Sequence, residues 1–520
     1  MHQALIILLV LTACICALNT LARRIPIPAP VLLTIAGIAL SFVPFFPDIS
    51  LDPQLVLLLI LPPLVYSAAV NLPWEDFRAN AKPISMYAVA LVAVTTGAVA
   101  LVAKLMIQAL TWPEAFALGA IVSPTDPVAS TSVSQRLGLP RRLKGITEGE
   151  GLVNDAVALT IFKLATAAIV THVFSPGTVI TRFLAIVFGE TLWGLAVGWL
   201  TSNLRRRVYD PRVEVALSLA TPFVAYIVPE SLGGSGVLAT VATGMYMGIQ
   251  APELLSAETR LNLAGTWNIV TFLLEGSLFF LTGLQFRFLI AQHENVSELT
   301  AVLYGAGVTG TVILLRFLWT WGTNWLLAAL FRGTAKPARN HLIYLGWCGM
   351  RGGISLAAAL SLPAAIESRH LLLFLTACVI AGTLILQGGP LPWLVRYLHL
   401  DDEAMAEHRE SSDSERRARI EAIHAALEEI EACGEEAARI RDEYKRRLQL
   451  LREGGAGEED IAATGFHTRW LQISLDAVRA ERKKVVQLHQ QAKIPEEVLH
   501  RIERDMDLRE LRLKAIRDDS

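Results

Sequence analysis

The first 400 residues of this 520-residue chain are short of charge. They hold 19 acids and 24 bases, or 43 charged side chains, where a soluble protein that is roughly one quarter charged would carry about 100. A soluble domain of that length is excluded, as are fibrous and disordered classes. Cysteine is scarce as well. Cys14, Cys16, Cys348 and Cys378 lie in apolar runs and Cys433 lies in a charged one. Apart from a loose Cys14-x-Cys16, no pair has metal-site spacing and no disulfide framework is suggested, so these are small buried hydrophobes. A phosphate-binding loop is missing too. GGSGVLATVATGMYMG (233–248) is rich in glycine but has no Lys-Ser/Thr ending and no strand before it, and small-residue helix packing explains it. With no ATPase signature, a primary pump is disfavoured. No cofactor and no nucleic-acid partner are expected. The N-terminus also lacks the basic region of a signal peptide, since His2 is the only candidate and Arg23 and Arg24 follow the apolar stretch. Residues 2–22 therefore read as a first membrane helix.

What the first part lacks, the last part has in excess. Residues 401–520 carry 29 acids and 22 bases in 120 positions. The chain divides into a transmembrane domain over 1–400 and a cytoplasmic, charged helical tail over 401–520. A spanning helix with a short loop uses roughly 30 residues, so 400 residues hold about thirteen spans. The apolar runs place them at 3–22, 29–46, 54–72, 84–107, 113–136, 146–172, 179–202, 213–230, 234–250, 264–286, 297–330, 339–364 and 370–397. Sixteen Lys and Arg fall in the loops after odd-numbered spans and four at or near the loops after even-numbered ones. The positive-inside rule then puts the tail in the cytoplasm and the N-terminus outside. The fold class is an all-α polytopic membrane protein of about 13 transmembrane helices with a cytoplasmic helical tail.

A charge at mid-bilayer costs several kcal/mol, so it needs a partner or a job. Asp126, Glu148, Glu150, Asp155, Lys163, Glu190, Glu275, Arg316 and Arg351 qualify, with Glu148 and Arg316 read as snorkelling from span ends. Asp126 sits in SPTDPVAST (123–131), where Pro124 and Pro127 each remove a backbone donor, so the span is expected to break there. Thr125 adds a hydroxyl and a carbonyl beside the acid. Broken helices of this kind hold ions at the midplane in secondary transporters. The next span, EGEGLVNDAVALTIFK (148–163), places Asn154 and Asp155 in an apolar run, with Gly151 one turn beneath Asp155 to leave room for an ion or water. Asp126 and Asp155 make a shared site for a hard cation such as Na+, although a polar network that only joins two helices has the same composition. In WCGMRGGISLAAALSLP (347–363), glycines at 349, 352 and 353 flank Arg351 and permit close approach or unwinding. Glu150 is the preferred partner of Arg351 in a structural ion pair, with Glu148 as the alternative.

These residues, together with LPPLVYSAAVNL (61–72), EGEGLVNDAVAL (148–159) and GSGVLA (234–239), make the chain resemble the bacterial sodium/proton exchangers of the first cation–proton antiporter family. The motifs stand in family order across most of residues 1–400. The resemblance implies inverted six-helix repeats, discontinuous crossing helices, and a homodimer embedded in membrane lipids of the bacterial inner membrane. It implies that Asp126 and Asp155 bind the ion, that Thr125 contributes oxygens, and that Asn154 marks electroneutral exchange. It also implies the Glu150–Arg351 pair. Two departures bear on ion choice: Ser67 stands where relatives often have an acid, and Gly151 where several have serine. Both remove oxygen ligands, so K+ or Li+ could be accepted beside Na+. The activity implied is secondary antiport of Na+ for H+, in which both compete for the same carboxylates, and not an enzymatic reaction. A cation channel, or a membrane-anchored signalling or adaptor protein acting through its tail, would share the composition but not the coupled proton flow.

The tail reads as helix over 403–452, interrupted by Gly454, Gly455 and Gly457, then 468–492 and 496–517 on either side of Pro495. Its mixed signs suit a solvated face. Leu471, Leu475 and Val478 form a stripe that could pair within a dimer, and the tail could also regulate transport.

Overall fold

The computed structural model describes residues 2–22, 24–25, 27–43, 52–171, 176–208, 210–290, 297–330 and 338–432, with scattered positions beyond. All secondary structure among them is helical. The chain divides into two compact units, Met1–Glu407 and His408–Ser520. Helix Leu400–Ala432 carries the start of the charged sequence. The helices expected over 468–492 and 496–517, the glycines at 454–457 and the Leu471 stripe lie outside the described residues apart from isolated positions.

Helices fall on every expected span. Among the described residues eight are long and apolar enough to cross a bilayer: Pro53–Asn71, Ala81–Met106, Arg141–Thr171, Ile180–Arg205, Pro211–Ser231, Glu258–Leu289, Leu299–Thr323 and Arg369–Tyr397. Leu9–Ala22, Ala29–Ser41, Trp112–Val122 and Val237–Ala251 are apolar but shorter. Two spans are broken in the middle. One consists of Trp112–Val122 and Val128–Leu137, the other of Arg339–Trp347 and Gly353–Leu360. Three further helices widen into π-turns without breaking, at Val56–Ile60, Met86–Leu91 and Leu384–Gly388. The first lies just before Pro62 and Pro63 and the last just before Pro390. In the last of them Gly389 N–H donates to the Leu384 carbonyl at 3.1 Å, five residues back as a π-turn requires.

In lipid there is little hydrophobic gain from bringing helices together, so close backbone contact and hydrogen bonds hold the fold. The Ala29–Ser41 and Ala257–Leu284 helices meet through glycine, because a Cβ on Gly37 would collide with the backbone at Phe280 and Gly283. The GGSG segment has a different role from the packing expected of it. Gly233 and Gly236 adopt positive φ of 88° and 71°, which turns the chain so that consecutive amides face inward. The buried Glu190 carboxylate accepts from Ser235 N–H at 2.5 Å, Gly236 N–H at 3.0 Å and Leu238 N–H at 3.2 Å. These are free donors at the start of helix Val237–Leu254, a favourable place for a negative charge. The packing expected from small residues lies further along this helix, where Gly244 abuts the Tyr66–Val70 backbone. Lys163 joins the same corner, donating to the Gly234 carbonyl at 2.6 Å and to Glu230 at 3.1 Å. Glu190 and Lys163, two of the charges placed in the membrane by sequence, thus fasten helices.

Candidate functional site

The two broken spans meet at their breaks and exchange backbone partners. Pro124 has no amide for the Ala120 carbonyl, and the Ser123 hydroxyl donates to that carbonyl instead at 3.1 Å. Asp126 N–H would continue the first half-helix by bonding Val122, but it donates to the Met350 carbonyl in the other break at 2.8 Å. The Val122 carbonyl left over accepts from Arg351 Nε at 2.6 Å. Arg351 thus caps the C-terminal, partially negative end of Trp112–Val122, where a cation is favoured. Its own amide donates to the Thr383 hydroxyl at 3.0 Å.

The second break contains no proline, and its glycines are not in the left-handed region. They serve as contact surfaces. A Cβ on Gly349 would meet the Arg316 side chain, one on Gly353 would meet Leu278, and one on Gly352 would overlap the Asp126 carboxylate. Asp126 is half-buried, and its Oδ1 accepts from Val128 N–H at 2.9 Å. Asp155 is buried in the neighbouring Arg141–Thr171 helix, which meets the break on both sides of Asp126 through Asn154 on Thr125 and Gly151 on Pro127. Among the described residues its carboxylate has no hydrogen-bond partner. The structure therefore brings Asp126, Asp155 and Arg351 into one cluster.

Behind the cluster runs a chain of hydrogen bonds. Asn154 Nδ2 donates to the Thr125 carbonyl at 2.9 Å and to its hydroxyl at 2.8 Å. The Thr125 hydroxyl donates to Glu150 at 2.8 Å. Glu150 takes a bidentate pair from Arg316, Nη1 at 2.5 Å and Nη2 at 2.9 Å, while Arg316 Nε donates to the Leu345 carbonyl at 2.8 Å. Asn154 Oδ1 and Arg351 Nη1 are buried with no partner.

Three expectations need correction here. Glu150 pairs with Arg316 and not with Arg351, and Glu148, the alternative partner for Arg351, lies 4.0 Å from Lys144 instead. Arg316 presents its planar fork to the carboxylate from the Glu298–Leu330 helix, whereas Arg351 is occupied by the freed Val122 carbonyl. Arg316 is consequently 2 % exposed and does not snorkel. Sequence reasoning missed it because snorkelling offered Arg316 a ready explanation, although the residue lies well inside the run 297–330, and because Glu150 lies 166 residues away. The signal was present nonetheless: Gly349 makes room for the Arg316 side chain. Second, Gly151 leaves no room for an ion, since the Pro127 ring fills the space where its side chain would be. Gly151 lets the Asp155 helix lie against the break. Third, the Thr125 hydroxyl is committed to Glu150 and Asn154 and is not a free ligand. Ser67 is buried on helix Leu61–Asn71, which packs mainly on Val237–Leu254. Among the described residues, no group of three or more His, Cys, Asp and Glu could hold a metal ion.

Known proteins resemble this chain in sequence and in fold. An uncharacterized Na(+)/H(+) exchanger of Mycobacterium tuberculosis is 32% identical over 98% of this chain and 96% of its own. A sodium, potassium, lithium and rubidium/H(+) antiporter of Bacillus pumilus is 31% identical over 95% of this chain and 76% of its own. The solved structure of the sodium proton antiporter of Methanocaldococcus jannaschii superposes with a TM-score of 0.62, covering 76% of this chain and 99% of that one. At 16% identity that likeness concerns the fold alone. The family model for the transmembrane sodium/hydrogen exchangers matches residues 10–397. With that match and two broken helices that meet at a pair of acids, the chain belongs to the sodium/hydrogen exchanger family and is a multi-pass membrane protein, a secondary active antiporter and not an enzyme.

Proposed function

We propose that Asp126 and Asp155 form the exchange site, binding either one Na+ or protons, and that Asn154 Oδ1 is the third oxygen offered to the cation. The observation that carries this reading is the placement of a buried Asp155, unpartnered among the described residues, next to Asn154, which is hydrogen-bonded to Thr125 beside Asp126 at the helix break. Competition for the same oxygens couples the flows without a separate gate. Arg351 offsets part of the charge when both acids are ionised, and Glu150, Thr125 and Arg316 hold Asn154 in place. Because Asn154 carries no charge, the site accommodates one cation against one proton, and exchange is electroneutral. The antiporter of Bacillus pumilus named for sodium, potassium, lithium and rubidium supports a broad choice of monovalent cation here, as does the absence of an acid at Ser67.

The same reading extends to the whole molecule. Thirteen spans in inverted repeats place the N-terminus outside and the tail in the cytoplasm of a bacterial inner membrane. A homodimer holds one unit fixed while the broken helices move. The domains run 1–400 and 401–520, and the tail pairs within the dimer or tunes transport.

Exchange in proteoliposomes tests the core of it. Asp155→Asn is expected to abolish sodium-dependent proton movement while the protein is still made and folded. Full exchange in that variant would sink the assignment. An imposed membrane potential should leave the wild-type rate unchanged, and potassium and lithium gradients should report the choice of ion.

A further inference from the structure

Glu275 lies within the Ala257–Leu284 helix and takes no part in the network just described. It lines a cavity of about 280 Å³ together with Asn19, Ser132, Asn268 and Thr271. Val128, whose amide holds Asp126, is on the same wall. A second cavity of about 520 Å³ shares Asn19 and Ser132 with the first and is bounded by Arg136 and Arg396. Those arginines stand at helix ends on the side to which the basic loops are assigned. The two cavities therefore adjoin between those helix ends and Val128, with Glu275 lining the inner one.

A carboxylate within an apolar span is tolerated where water or an ion meets it. Among the described residues Glu275 has no hydrogen-bond or ion-pair partner, and the cavity it lines reaches Val128, two residues from Asp126. Its position is set by close packing on either side. Gly276 abuts Ile15, and Gly283 abuts the backbone of the Ala29–Ser41 helix. At about 30 Å³ per water, the inner cavity has room for a cation that keeps part of its hydration shell.

We propose that this cavity is an outer station for a partly hydrated monovalent cation, which Glu275 holds one step before it reaches Asp126 and Asp155. The amide and hydroxyl oxygens of Asn19, Asn268, Ser132 and Thr271 replace some of the water there. Glu275 loads the exchange site and does not itself perform the exchange, so the proposal rests on the reading of Asp126 and Asp155 above.

The test is initial exchange rate against sodium concentration in everted membrane vesicles, which present the tail side to the medium. Glu275→Gln is expected to raise the half-saturating sodium concentration about three- to tenfold while the maximal rate stays within about twofold. Glu275→Asp, which keeps the charge, is expected to restore most of the affinity. An unchanged half-saturation in Glu275→Gln would overturn the proposal. So would an equal loss of maximal rate in both variants with sodium affinity intact, which would make Glu275 structural. Asp155→Asn, measured alongside, separates the two readings. If it still exchanges, the site assignment fails. If it is inactive and Glu275→Gln keeps wild-type half-saturation, only the outer station fails.

Discussion

The two helix breaks at the centre of this molecule have opposite chemistry. The break at 123–127 is written into the backbone, because Pro124 and Pro127 remove two donors and free carbonyls on any trajectory the chain could take. The break at 348–352 is set by side chains from elsewhere. Its glycines keep ordinary backbone angles, and each is small because Arg316 or Asp126 occupies the adjoining space. The first break is local and the second is relational. Neither is complete alone, since the first donates Asp126 N–H to Met350 and receives Arg351 Nε at Val122 in return. Reciprocal exchange of this kind satisfies polar groups that lipid could not, which is why irregular backbone is tolerated at this depth.

The contrast predicts which substitutions hurt. The largest effect is expected from Arg316→Ala, which strands Glu150 as an unpaired buried charge at a cost of about 3–5 kcal/mol. Thermal unfolding in detergent should show it clearly below Arg351→Ala, whose main hydrogen bond among the described residues is to one carbonyl. If Arg351→Ala proved the more damaging, the pairing described here would be wrong in its energetics. Next comes Gly352→Ala. The added methyl would overlap the Asp126 carboxylate, so exchange should fall by about tenfold or more while the fold survives, a transition-state loss near 1.4 kcal/mol per decade. Wild-type exchange in Gly352→Ala would show that the glycine break has slack. The smallest effect is expected for Pro124→Ala. It returns an amide to the Ala120 carbonyl, which the Ser123 hydroxyl already serves, so stability should change by less than about 1 kcal/mol and transport by little. A collapse of transport there would mean that the first break depends on each of its prolines separately.

The asymmetry also explains which features were legible in the sequence. Apolar runs of spanning length placed the helices, and their boundaries shifted only at breaks and loops. Paired prolines around Asp126 announced the first interruption. Asp155 was legible because a carboxylate in an apolar run has few innocent explanations. Glu190 and Lys163 stood out by the same criterion and proved to be fastenings, so the criterion finds buried charges without sorting them. Gly151 was misjudged in the same way: small size was visible, but not that the Pro127 ring fills the space.

The sequence by itself determined that this is a membrane protein of many helices, that one helix breaks at Asp126, and that acids survive where charge is costly. Those properties follow from composition, from proline's missing donor and from helical spacing, all local along the chain. Only the tertiary structure decided that Arg316 answers Glu150, that Arg351 answers a freed carbonyl, and that Glu275 lines a cavity with Val128. Each of these brings together residues more than a hundred positions apart, and the partner of a buried charge is chosen by reach and geometry once the helices have packed.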